Sequence, residues 1–279
     1  MATQQTMSIA RKAELFRDLH RGPRILVLAN VWDVASARIV EAAGFPAVAT
    51  SSAAVANALG YPDGERISRA EMLEAVRRIA SRVSVPVSAD LEAGYGATPD
   101  AMAETAAGLI DAGAVGLNLE DRVDKASLLP TERNAAKVSR IRAIGEALGV
   151  RVVINARTDV YLAGIGDPAE RFEHTLERLR AYREAGADSL FVPGVYDAET
   201  IGRLAREAPG PLNVLANPAS PDIAELERLG VRRVSFGSWP ARAALGLFSR
   251  FAHELADQGT FTTLDDWALP SGAMNGLMS

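Results

Sequence analysis

No cysteine occurs in this chain, and histidine occurs only three times. The missing thiols exclude disulfides, thiolate metal sites and any cysteine nucleophile or acid/base group. They suit a reducing compartment, and a cytoplasmic protein is expected. His20, His174 and His253 all fall in helical stretches, so imidazole metal ligation is not expected. Positive charge is not in excess: the formal net charge is -5, which gives no support to nucleic-acid binding. No apolar run is long enough to cross a membrane, and the opening residues carry no hydrophobic signal region. Linkers, low-complexity segments and charge blocks are also missing.

What is present is an alternation of short apolar runs with longer amphipathic stretches. The 279 residues, 48% hydrophobic and 23% charged, suit one large α/β domain or two small ones. Eight runs read as strands: Ile25–Ala29, Ala47–Thr50, Val85–Ala89, Val115–Leu119, Arg151–Asn155, Ser189–Val192, Asn213–Ala216 and Arg233–Phe236. They lack polar alternation, the pattern of parallel strands buried on both faces. A short helix, Ser8–Leu19, precedes them. Thr98-Pro99, Asp167-Pro168 and Ser220-Pro221 each place a capping oxygen before a proline suited to a first helical turn. Ser68-Arg-Ala-Glu71 reads as a capping box. Gly44, Gly113, Gly149, Gly186 and Gly230 read as left-handed helix ends.

Eight βα units predict a single (β/α)8 TIM-type barrel spanning 1–279. The competing doubly wound sheet often opens on a Gly-rich turn, whereas the first predicted strand here runs into Asn30-Val-Trp-Asp33 with no glycine. Residues 258–279 lose periodicity and are expected to form an irregular C-terminal tail.

Active sites of such barrels lie at the C-terminal ends of the strands. Polar residues collect there. Asn30, Trp32 and Asp33 follow the first strand, and Ser51 and Ser52 follow the second. Asp90 and Glu92 close the third, Glu120 the fourth, Arg157 the fifth and Asn217 the seventh. Converging carboxylates at buried strand ends repel one another unless a cation neutralises them. With only oxygen donors available, the expected ion is Mg²⁺, with Mn²⁺ as the alternative. Asp90, Glu92 and Glu120 are the candidate ligands. Asp121, adjacent to Glu120, is expected to point the other way as a solvated or salt-bridged neighbour. Arg157 suits a substrate carboxylate, which its planar fork can grip twice, although Asp159 or Glu120 could hold it structurally. Backbone N–H groups near Ser51 and Ser52 are candidate oxyanion donors. Asp63, in Gly60-Tyr-Pro-Asp63-Gly, reads on its residues alone as a turn aspartate.

These segments, with Asn30-Val-Trp-Asp-Val-Ala-Ser-Ala, Ser-Ala-Asp90-Leu-Glu92-Ala-Gly-Tyr-Gly, Asn118-Leu-Glu120-Asp and Ala156-Arg157-Thr-Asp, occur in an order that resembles the isocitrate lyase / phosphoenolpyruvate mutase family. The resemblance runs from about Ile25 to Trp239. It implies a Mg²⁺-dependent barrel acting on small 2-oxo acids. The family's metal ligand maps to Asp90 and its water-mediated outer ligands to Asp63, Glu92 and Glu120. Its oxyanion and carboxylate contacts map to Ser51, Ser52 and Arg157. The family exchanges its eighth helix between subunits, so Pro240–Asp257 would pack on a neighbour in a homotetramer or homodimer.

The departures narrow the activity. The family's lyases carry a Lys-Lys-Cys-Gly-His-like loop after strand four, whose cysteine acts as acid/base. Here the region reads Arg122-Val-Asp-Lys125-Ala-Ser127-Leu-Leu-Pro130, with neither Cys nor His. The phosphonate-forming mutases use a histidine after strand six, and Phe191-Val-Pro193-Gly has none. Glu92 also stands where the family commonly has Asp. The expected activity is cleavage of a C–C bond in a 2-oxo dicarboxylate through a pyruvate-like enolate, as in oxaloacetate decarboxylation. Asp63, Glu120 and Arg157 are the catalytic candidates, and Trp32, Ser51, Ser52, Arg157 and Asn217 the substrate-binding ones. The alternatives are a phosphoenolpyruvate or phosphonopyruvate mutase or hydrolase, kept open by Lys125, Arg133 and Asn134, or a 2-methylisocitrate lyase-like enzyme.

Overall fold

Runs such as Val152-Val153-Ile154, fully buried, form strands only where both faces are covered by other elements. In the computed structural model, which describes residues 7–96, 98–265 and 267–279, they do so. The strands are β1 (Leu26–Leu28), β2 (Asn30–Val31), β3 (Val48–Thr50), β4 (Val87–Asp90), β5 (Gly116–Glu120), β6 (Val153–Arg157), β7 (Ser189–Val192), β8 (Leu212–Leu215) and β9 (Arg233–Ser235). All neighbours pair in parallel, in the order β1-β9-β8-β7-β6-β5-β4-β3-β2. β1 and β2 are two pieces of one extended segment. β1 pairs with β9 and β2 with β3, so this segment joins both edges and produces the expected (β/α)8 barrel.

Asn30 closes the seam. Its Nδ2 donates to the Thr50 carbonyl at 2.8 Å, while its Oδ1 accepts the N–H groups of Phe236 at 2.7 Å and Gly237 at 2.9 Å. The amide side chain thus satisfies backbone groups that the broken strand leaves unpaired.

The helices are α1 (Ile9–Arg21), α2 (Val34–Ala42), α3 (Ser52–Ala58), α4 (Arg69–Ala80), α5 (Pro99–Asp111), α6 (Thr131–Ala147), α7 (Arg171–Glu184), α8 (Ala198–Glu207), α9 (Ile223–Arg228), α10 (Trp239–Gln258) and α11 (Ser271–Met278). Thr98 caps α5 and Ser68 forms a capping box with Glu71 on α4, as expected. The other two proline signals mark turns instead. Asp167 Oδ1 accepts from Ala169 N, and α7 starts only after Glu170. Ser220 belongs to a turn with Asn217, and α9 is capped by Asp222. A capping oxygen before proline closes a tight turn as readily as a helix.

α1 plugs the bottom of the barrel. Phe16 and His20 on its inner face are buried. Gly116, the first residue of β5, makes room for Phe16: a Cβ there would meet Phe16 Cε1 at 2.4 Å. α10 packs differently from the other long helices. Only Ala241 is buried in it, and Leu245, Phe248 and Leu255 are 57%, 64% and 48% exposed. Beyond it, the expected irregular tail is partly ordered. It contains a 3₁₀ turn, Thr262–Leu264, and then α11, which returns to α2, where Arg38 Nε donates to the Leu277 carbonyl at 2.6 Å. Two glycines in Ser-Gly-Ala-Met-Asn-Gly-Leu-Met weaken the local helical pattern, so docking on α2 supplies what propensity does not.

Candidate active site

Register assembles the site. Asp90, the last residue of β4, lies beside Asn118 of β5, and Glu120, the last residue of β5, lies beside Arg157 of β6. Asn118 and Glu120 are two apart on one strand and therefore share a face.

Asp90 is buried and held on every side. Its Oδ2 accepts the N–H of Ser52 at 3.1 Å and the Ser52 hydroxyl at 2.8 Å, and its Oδ1 faces Asn118 Nδ2 at 3.4 Å. Its own N–H donates to Thr50 Oγ1 at 2.9 Å. Glu92 follows in a left-handed turn at φ 50°. Its Oε2 accepts the N–H of Glu65 at 2.6 Å and its Oε1 accepts the Tyr95 hydroxyl at 3.1 Å. Burial, then the charge of Asp90, pushes its carboxyl up to about 7. Asp63 lies on the loop that Glu92 holds. Burial of its carboxyl and the charge of Asp90 raise it above the ordinary carboxylate range, with Arg157 and Arg122 acting against them.

Glu120 and Arg157 form a second half of the site. Arg157 Nη1 lies 2.9 Å from Glu120 Oε2, while Nε and Nη2 grip both oxygens of Asp159 at 2.6 and 2.9 Å. Burial pushes Glu120 up to about 8, opposed by Arg157 and assisted by Asp159 and Asp90. Burial disfavours the charge on Arg157, but Glu120 and Asp159 outweigh it and hold the guanidinium charged. Asp121 points outward, as expected, and is salt-bridged rather than solvated. It accepts the Asp159 N–H at 3.0 Å and the Tyr182 hydroxyl at 2.8 Å, with Arg178 at 3.3 Å.

The remaining candidates are less central. The N–H groups of Ser51 and Ser52 are both engaged, with the Val31 carbonyl and Asp90 respectively, and Ser51 Oγ caps α3. Trp32 lines a cavity of about 650 Å³ between α2, α3 and α4, where Met278 also sits. Asn217 accepts the Ala219 N–H at 2.8 Å in a local turn. Among the described residues no hydrogen bond joins Trp32 or Asn217 to the carboxylates.

The donor set fits a hard divalent ion. Among the described residues no three His, Cys, Asp or Glu side chains approach closely enough to bind one ion directly. Asp90, Glu92 and Glu120 therefore do not form a direct ligand triad here, and only an ion that keeps several waters, as Mg²⁺ does, would need as few as one or two carboxylates. Burial first, with the charge of Asp90 adding to it, raises the carboxyls of Asp63, Glu92 and Glu120, and a cation bound beside them would favour their charged forms.

Several participants are not evident from sequence. Asn118 gave a signal, a polar residue inside an apolar strand. Asp159, two residues past the end of β6, is already a candidate partner of Arg157 on sequence alone. Glu65, in the charged stretch Asp63-Gly-Glu65-Arg66, gave none.

Comparison with known proteins places these features in context. Residues 16–256 match the family model of phosphoenolpyruvate phosphomutase. An uncharacterised protein of Mycobacterium tuberculosis is 37% identical over 87% of this chain and 89% of its own. The oxaloacetate decarboxylase of Pseudomonas fluorescens is 33% identical over 82% of this chain and 80% of its own. Among solved structures, a lyase/mutase of Burkholderia cenocepacia superposes with a TM-score of 0.89 at 38% identity, covering 96% of this chain and 95% of that one. A phosphonopyruvate hydrolase complexed with oxalate and Mg²⁺ superposes with a TM-score of 0.83 at 25% identity, covering 95% of this chain and 94% of that one.

Proposed function

The chain belongs to the phosphoenolpyruvate phosphomutase family of lyases and mutases, and from that premise we propose that it is a Mg²⁺-dependent carbon–carbon lyase for an oxaloacetate-like 2-oxo dicarboxylate. One observation carries this reading. The rim combines raised carboxyls with Arg157, yet the loop after β5 offers no cysteine or histidine for aldol-type cleavage. Loss of CO₂ needs an electron sink but no base to start it, whereas aldol-type cleavage must first deprotonate a hydroxyl.

Bound beside Asp90, a divalent cation would act as a Lewis acid toward the substrate's keto oxygen. The chain's own residues do the rest. Arg157 has five N–H donors, of which three contact Asp159 and Glu120. The remaining two suit a substrate carboxylate. When the bond to the departing carboxylate breaks, its electron pair moves toward the former keto oxygen and CO₂ leaves. The methylene carbon then needs one proton to give the 2-oxo acid product. We assign the holding of that proton to Glu120 and Asp63, a role that their raised carboxyls, Glu120 up to about 8, support.

The phosphoryl alternative has less support. Asn134 is fully buried within α6, Arg133 lies on the exposed side of that helix, and Lys125 is exposed on the loop. The test is an assay with Mg²⁺ against oxaloacetate, isocitrate, 2-methylisocitrate and phosphonopyruvate. Oxaloacetate should turn over about 10²–10⁴-fold faster than the hydroxy acids, the usual worth of general acid–base help. Faster turnover of isocitrate or 2-methylisocitrate refutes the reading, and rapid conversion of phosphonopyruvate transfers it to the phosphoryl class.

A further inference from the structure

A guanidinium sits inside the barrel below the carboxylates. Arg233 of β9 is fully buried, and no carboxylate among the described residues lies within ion-pair distance of it. Its Nη1 lies 3.3 Å from His20 Nε2, and its Nη2 lies 3.2 Å from Asn118 Oδ1 and 3.5 Å from Ser88 Oγ. The Phe16 ring is 6.0 Å away. His20 cannot be a counter-ion or a competing cation. Its Nδ1 donates to the Phe16 carbonyl at 2.7 Å, so Nε2 presents a lone pair to Arg233 and the ring is neutral. Burial holds its pKa down to about 3. Every direct partner of Arg233 is therefore neutral. A buried charge without a paired counter-charge is costly, and an apolar side chain of similar length would fill the space more cheaply.

We propose that Arg233 is a positioning residue for the rim site, a buried cation that fixes, through Asn118, where the Asp90 carboxylate points. The inference rests on reading Asp90 as the metal-holding carboxylate. The geometry is directional. Asn118 Oδ1 accepts from Arg233 below and from Asn155 Nδ2 at 2.8 Å. Two donors on one side of the amide fix its orientation, so Nδ2 must face Asp90 Oδ1 on the other. The cation polarises that amide and strengthens its donor end. Ser52 holds Asp90 Oδ2 from the opposite side, and the carboxylate cannot rotate. Arg233 is thus linked to Asp90 through the Asn118 side chain, and its positive charge also acts on the Asp90 carboxylate through space. The sequence marks Arg233 only as the first residue of the last predicted strand, Arg233–Phe236, and gives no sign of a partner.

The test compares wild type, Arg233→Met, Asn118→Leu and the double variant. Mn²⁺ affinity is measured by titration calorimetry, and thermal stability is measured without metal. Partners that orient metal ligands are typically worth about 10–100-fold in affinity. Arg233→Met should lose Mn²⁺ affinity by about that factor, with an unchanged or raised melting temperature. Asn118→Leu should lose a similar factor, and the double variant should lose little more than either single variant. A purely structural arginine predicts the opposite pattern, lower stability with wild-type Mn²⁺ affinity, and that result overturns the inference. Should Arg233→Met fail to fold, Asn118→Leu decides alone: wild-type affinity there also overturns it. If wild type itself binds no Mn²⁺, the metal reading of Asp90 falls first and this inference with it.

Discussion

The Glu92 carboxylate accepts the backbone N–H of Glu65 at 2.6 Å, and both residues sit at positive φ, 50° and 52°. Tyr95, at φ 56°, completes the link by donating its N–H to Glu65 Oε1 at 2.8 Å and its hydroxyl to Glu92. Non-glycine residues in this region are uncommon and persist where surroundings impose them. Here the imposed feature is a clasp between the loop after β4 and the loop carrying Asp63.

Glu92→Asp should therefore weaken the protein, even though Asp is the residue the resemblance leads one to expect at this position. One methylene less cannot reach both the Glu65 N–H and the Tyr95 hydroxyl. The donors are only partly buried, and a lost hydrogen bond of that kind costs about 0.5–1.5 kcal/mol. Urea unfolding of the metal-free variant should show a loss in that range. Hydrogen exchange should quicken at the Glu65 amide. An unchanged midpoint would show that the clasp contributes nothing.

Stability of the metal-free protein should rise as pH falls from 8 toward 5. Glu92 is held up to about 7 in the folded chain against an ordinary 4.5, with burial as the main cause. Between those values the folded state binds a proton that the unfolded state does not. Stability is therefore lost as pH rises through 7, by up to about 1.4 kcal/mol per pH unit for this one group. Glu120 extends the same trend to higher pH. Added Mg²⁺ or Mn²⁺ should flatten or reverse the slope, since metal competes with the protons. Melting curves at pH 6 and 8, with and without metal, measure this. Greater metal-free stability at pH 8 would contradict it.

Much of this architecture was readable from residue order. The strand ends are marked because Asp90, Glu120 and Arg157 are charges that terminate apolar runs, and apolar runs of that kind are buried parallel strands. What stayed hidden depends on partners distant in the chain. Asn30 looks like a rim residue, but the break at Ala29 makes it the group that joins the two edges of the sheet. Glu65 carries no signal of its own in the sequence, and its role emerges only where its N–H meets Glu92, 27 positions on. Asp167 and Ser220 carry the right capping chemistry and use it on turns.

α10 should be a subunit contact. Leu245, Phe248 and Leu255 are exposed along one helix, and the family resemblance implies an exchanged last helix. Phe248→Glu should shift the mass seen by light scattering to a smaller species at micromolar concentration, because a desolvated charge in an apolar contact is costly. A wild-type protein that is monomeric under those conditions would refute the contact.

The plug at the barrel's bottom imposes an order of events. His20 and Arg233 meet across 213 positions of sequence, and β1 pairs with β9 over a similar span. Loop closure on this scale must precede the contacts that reward it, which slows folding. During synthesis α1 emerges early, yet Phe16 finds its seat against Gly116 only once β5 exists, and His20 meets Arg233 only after β9 has been made. The ring would be the last part of the fold to lock, with α1 as a loosely held latch until the end.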